Sequence, residues 1–264
     1  MFDDIYLKDQ KNILLDFLQK KYNIIITEDA YFNDFININL LELTSIKIWS
    51  KNLYDGDSFG AEQYLNEIIS NLNQLIILAL LGLKIPSFML IRRSLENLLM
   101  FLYFKDHRIE FAKREQNRND IKKGKNQEYR IDRNSISELK EYVAYFPFTA
   151  IYPEIEKNKL DDLLNSMIQL WDKQYSDLSN FVHGTSSRYL ELKNYLDDIN
   201  PDEDSLNYVS TYNKNYCSLV NSFLILFYFD KFKNFENKEK SIIRNAIDSE
   251  TKFKQKMTDV FGEI

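Results

Sequence analysis

Six glycines and four prolines are the strong breakers in 264 residues, and that scarcity restricts the fold more than any other feature. A sandwich or barrel reverses direction every few residues and needs many more turn formers. Between the four prolines (Pro86, Pro147, Pro153 and Pro201) lie long stretches rich in Leu, Ile, Lys and Glu, residues that fit a helix without strain. With 44% hydrophobic and 14% aromatic residues, the chain can also bury a substantial core. The expected fold is all-α: a multi-helix bundle forming a single domain over 1–264.

Apolar spacing predicts helices over 4–20, 35–52, 59–83, 86 to about 105, from 135 to the prolines near 147, 158–183, 203–236 and 238–261. "NIIIT" (23–27) reads as a short extended piece, and Tyr54-Asp55-Gly56-Asp57-Ser58 as a turn. The segments 59–83 and 86–105 are the most apolar and are separated by Gly82 and Pro86, which predicts a central antiparallel pair of long apolar helices. The core is expected over about 60–235, with helical additions at 1–56 and 237–264. "DDINPDED" (197–204) is an acidic connection in which Asp202 or Asp204 can cap the following helix. No fixed-period repeat is present, which disfavours a solenoid.

Several classes of protein are excluded or disfavoured. One cysteine, Cys217, permits neither an intrachain disulfide nor a thiolate-rich metal site, and its apolar surroundings suggest a buried thiol. "LIILALLGLKIPSFMLI" (75–91) and "LVNSFLILFYFDKF" (219–232) both fall short of the ~20 apolar residues of a membrane span. "MFDDIYLKDQKN" carries acidic residues where a secretory signal needs basic ones, so no membrane association and a cytoplasmic location are expected. The two histidines, His107 and His183, belong to no His-Glu-x-x-His motif, and no glycine-rich phosphate loop is present, so no metal and no cofactor are expected. The formal charge is −6, yet 112–133 holds eight Lys/Arg against four Asp/Glu. That segment, with Lys122, Lys123 and Lys125, reads either as a solvated helix end and loop or as a basic lip contacting phosphates.

Two helical faces carry the remaining chemistry. At about 100° per residue, 86–107 is apolar over most of its circumference. Arg92, Glu96, Tyr103 and His107 share one narrow sector, with Arg93 and Asn97 on its flank. Arg92 and Glu96 form an i,i+4 pair, and such a stripe faces either water or a polar cleft. In the cleft case the arginines suit an anion, because the planar fork grips phosphate in a bidentate manner. On the helix ending at Gly184, the apolar side carries Leu170, Trp171, Leu178, Phe181 and Val182. Asp172, Ser176, Ser179, Asn180 and His183 line the other. His183 is therefore either a structural cap on the last turn or a reactive group.

"LSNFVHG" (178–184), taken with "RRSLENLLMFLYF" (92–104), resembles the active-site motifs of the HEPN superfamily, the all-helical higher-eukaryote-and-prokaryote nucleotide-binding domains. Asn180, Phe181, Val182, His183 and Gly184 match the second half of the family's nuclease signature. Where that signature places an arginine, this chain has Ser179, and Arg188 follows His183 instead of preceding it. The resemblance implies a HEPN-like bundle and metal-independent cleavage of RNA, with His183 as proton carrier and Arg92 or Arg93 stabilising phosphorane charge. Glu96 and Asn180 would support them. Ser179, Arg188, Lys122, Lys123 and Lys125 would contact the substrate. It further implies a homodimer, and a toxin or anti-phage effector with a protein partner such as an antitoxin or another defence-complex subunit. The alternative is a catalytically degenerate interaction or sensing subunit of such an assembly, favoured by Ser179. A third reading is an unrelated helical binder of nucleotides or another small anion.

Overall fold

The computed structural model describes residues 5–22, 29–53, 60–122, 136–190, 195 and 199–262, and among these every regular element is a helix. In chain order they are α1 (Ile5–Tyr22), α2 (Ala30–Leu53), α3 (Glu62–Leu80), α4 (Lys84–Asp106), α5 (Arg108–Lys122), α6 (Ile136–Ala144), α7 (Phe148–Ile151), α8 (Lys157–His183), α9 (Glu203–Phe227), α10 (Phe229–Lys233), α11 (Asn237–Asn245) and α12 (Phe253–Phe261). Among the described residues no helix is long and apolar enough to cross a membrane. "NIIIT" and the 54–58 turn lie outside the described residues.

The expected central hairpin is α3 and α4. Lys105, near the end of α4, bonds Glu62 at the start of α3 (3.1 Å), so the two run antiparallel. Asn71 and Ser94 join them midway through a buried 3.0 Å hydrogen bond. The tight turn depends on Gly82, whose φ of 76° suits glycine. The backbone of Asn200 and Pro201 also passes so close that a Cβ there would overlap it.

α4 is the axis of the bundle, with Phe88, Ile91, Leu95, Leu98, Leu99, Phe101 and Leu102 wholly shielded from solvent. It packs against α3, α8, α9 and α6. α9 lies against α2 through side chains of both chemistries: Asn213 reaches Asn39 (2.8 Å) and Glu42 (2.5 Å), and Asn221 meets Trp49 and Ser45 (3.0 Å each). Asp202 caps α9 by accepting from the Ser205 amide at 2.7 Å.

The structure departs from the expected helix boundaries, most clearly in three places. α2 begins at Ala30 instead of about 35. The helix expected over 203–236 stops at Tyr228, whose ψ of 35° redirects the chain into α10. The turn lets Phe229 stack on Phe261 (4.0 Å) and Phe232 on Trp49 (5.8 Å). The last helix is likewise divided, because Asp248 caps a single 3-10 turn, Ser249–Thr251, before α12 starts.

Glu42 gives the fold a pH dependence. The side chain is 2% exposed, and burial holds its carboxyl well above the ordinary value near 4.5, against the opposing charge of Lys214 and the Asn213 hydrogen bond. A group whose pKa is raised by folding contributes its stability at pH below the unfolded value and loses it as pH rises towards the folded one. Glu42→Gln is therefore expected to gain stability relative to the parent as pH increases from about 5 to about 8. Urea unfolding at both ends of that range checks this, and a difference that does not grow with pH would count against it.

Candidate functional site

α8 is cut cleanly into two faces. Leu160, Leu163, Leu164, Met167, Trp171, Gln174 and Leu178 recur at three- and four-residue steps and are buried. Tyr175, Ser179 and His183 recur every fourth residue on a more open face, which lies over α4. Gly184 ends the helix in the left-handed region (φ 55°) with its amide on the Asn180 carbonyl. Asn180 completes the stop by accepting from the Thr185 hydroxyl at 3.1 Å.

Arg92 crosses from α4 to this face. Its Nε donates to Ser179 Oγ (3.0 Å), and Nη2 donates to Tyr175 OH (2.9 Å). Tyr175 in turn donates to Glu96 Oε1 (2.9 Å), and Glu96 lies 3.4 Å from Arg92 Nη2. The guanidinium carbon lies 4.9 Å from the Tyr175 ring centroid, and Trp171 stacks against the same ring at 4.7 Å. Burial, with the Glu96 carboxylate beside it, raises the Tyr175 pKa, so the phenol keeps its proton and serves as donor. Ser179 also donates to the Tyr175 carbonyl (2.7 Å), which fixes its lone pairs towards Arg92. Arg92 Nη1 makes no hydrogen bond among the described residues. The charged partners are about a quarter exposed, so the cluster opens to solvent.

The structure thus brings together Arg92, Glu96 and Ser179, and puts His183 one helical turn beyond Ser179 with an exposed side chain. Side chains four apart on a helix have Cβ atoms about 5–6 Å apart. Arg93 points elsewhere, to an ion pair with Glu67 on α3. Tyr103 and His107 are also diverted, stacking on each other at 4.0 Å and meeting Tyr142 of α6. Arg188 lies in the 3-10 turn Ser187–Tyr189. Lys122 ends α5, while Lys123 and Lys125 lie outside the described residues.

Tyr175 is the residue that sequence reasoning missed. Its signal was the four-residue recurrence with Ser179 and His183. Among the described residues no group of three or more His, Cys, Asp or Glu is placed to hold a metal ion.

The arrangement defines an all-helical bundle with an arginine anchored by tyrosine, glutamate and serine beside an exposed histidine at a helix end. No protein-family model, no curated protein and no solved structure matches the chain.

Proposed function

We propose that this protein is a HEPN-like, metal-independent endoribonuclease, a toxin or anti-phage effector acting as a homodimer. The observation that supports the reading is the Arg92–Ser179 hydrogen bond. The family signature places an arginine where this chain has Ser179, and here a guanidinium from α4 is delivered to that serine. Arg92, with Nη1 unengaged, is the phosphate-facing cation, and Glu96 and Tyr175 hold its plane. His183, one turn away, is the proton carrier on the 2′-hydroxyl or the leaving oxygen. Arg93 is tied to Glu67 and has no part in the chemistry.

One observation favours the alternative, a catalytically degenerate interaction or sensing subunit of a defence or toxin–antitoxin assembly. Glu96 already balances the charge of Arg92, so the cluster is self-sufficient without an anion. Comparing arginine variants separates the readings. Parent, Arg92→Gln and Arg93→Gln are incubated with tRNA and total RNA in EDTA. Parent cleavage is expected, reduced about 100-fold in Arg92→Gln, the scale of removing one oxyanion donor, and within about two-fold of parent in Arg93→Gln. Equal activity in Arg92→Gln overturns the assignment of Arg92. Absence of cleavage by the folded parent favours the degenerate subunit.

A further inference from the structure

A polar cavity, of about 210 Å3, opens between α2, α9, the turn after α11 and α12, with no residue in common with the Arg92 cluster. Its wall includes Glu42, Lys214, Asp248, Ser249 and Lys254. Lys214 and Lys254 are both half-buried, and neither ammonium makes a hydrogen bond or ion pair among the described residues. Burial lowers the Lys254 pKa, a sign that its charge is poorly solvated. Asp248 is directed at its own turn, where Oδ1 accepts from the Glu250 amide at 3.1 Å.

Lys214 feels the Glu42 carboxyl and Lys254 the Asp248 carboxyl, but neither ammonium is hydrogen-bonded, and partly desolvated cations without hydrogen bonds are unfavourable. Glu42 offers the ligand little, because its side chain is 2% exposed and already accepts from Asn213. The cavity also bounds the ligand's size. A water takes up about 30 Å3 of liquid, so roughly seven fit here, and drug-sized sites begin near 300 Å3.

We propose that this cavity binds a small oxyanion, a carboxylate or phosphate group held between Lys214 and Lys254, with the Ser249 hydroxyl as a further donor. Such a ligand clamps α12 onto α9, because Lys214 belongs to α9 and Lys254 to α12.

The test is thermal unfolding of the full chain in inorganic phosphate or sodium lactate, each at about 10 mM, against sodium chloride of equal ionic strength. A Kd near 1 mM predicts a Tm rise of about 3 °C over the chloride baseline. Phosphate alone raising Tm identifies a phosphate site, and lactate alone a carboxylate site; either supports the proposal. In Lys214→Gln/Lys254→Gln the rise is expected to disappear while far-UV helicity is retained. Should that variant fail to fold, the single Lys254→Gln is titrated by calorimetry, where about tenfold weaker binding is expected. No rise above chloride with either probe, an undiminished rise in the double variant, or an unchanged Kd in Lys254→Gln overturns the proposal.

Discussion

His183→Ala is expected to lower RNA cleavage by about 10²- to 10⁴-fold while leaving the fold intact, the range for removal of a positioned general acid or base. The two halves of that expectation rest on different observations. The histidine is exposed in the last turn of α8, and the helix stop is made by Gly184, Asn180 and Thr185 without its side chain. Truncation should therefore cost less than about 0.5 kcal/mol of stability, as at most surface positions. The catalytic half rests on its place one turn from Ser179, which receives Arg92. A purely structural histidine would behave in the opposite way. Capping the last carbonyls and meeting the helix dipole is worth about 0.3–1 kcal/mol, with no effect on RNA. Single-turnover cleavage of tRNA in EDTA, run beside a melting curve, distinguishes the two. Equal cleavage by parent and variant removes His183 from the chemistry. A Tm loss without any RNA cleavage by the parent makes it a cap.

Much of the fold was legible because helices leave periodic traces. The apolar circumference of 86–107 pointed to a central helix, and α4 packs against α3, α6, α8 and α9. What the periodicity could not show was where a helix stops when no glycine or proline marks the place. Tyr228 ends α9 so that Phe229 and Phe232 can reach Phe261 and Trp49, contacts more than thirty residues away on one side and about 180 on the other. The basic stretch after 112 begins within a helix because Arg114 lays its guanidinium 5.1 Å from the Phe104 ring and reaches Met100 Sδ at 2.9 Å. Composition alone presents that arginine as a solvated charge.

The candidate site was legible in its parts and not in its pairing. Arg92 and Arg93 differ by one position, about 100° around the helix, and only tertiary packing decides which meets α8. α8 lies on the Arg92 side and α3 on the Arg93 side. Tyr175 was assigned to neither face of the helix, and only tertiary packing sets its hydroxyl between Arg92 and Glu96.

The largest effect on stability is expected from Asn221→Leu, at about 3–5 kcal/mol, or a Tm lower by about 6–15 °C for a domain of this size. Leucine matches asparagine closely in shape and adds no cavity, so the change acts on hydrogen bonds. Asn221 is fully buried; its Oδ1 accepts from the Trp49 indole (3.0 Å), and its Nδ2 donates to Ser45 Oγ (3.0 Å) and the Cys217 carbonyl (2.8 Å). Trp49 is itself fully buried against Phe232 and Phe235, so no water can replace the lost acceptor. An unpaired buried donor costs about 1–3 kcal/mol, and the indole N–H dominates the total. It follows that Trp49→Phe in the Asn221→Leu background, which removes the stranded N–H along with part of the ring, should cost less than Trp49→Phe in the parent. The expected coupling is about 1–2 kcal/mol, read from a double-mutant cycle in urea. Additive effects would show that the Asn221–Trp49 hydrogen bond adds nothing to the α2–α9 contact, and that Asn221 is tolerated there without being required.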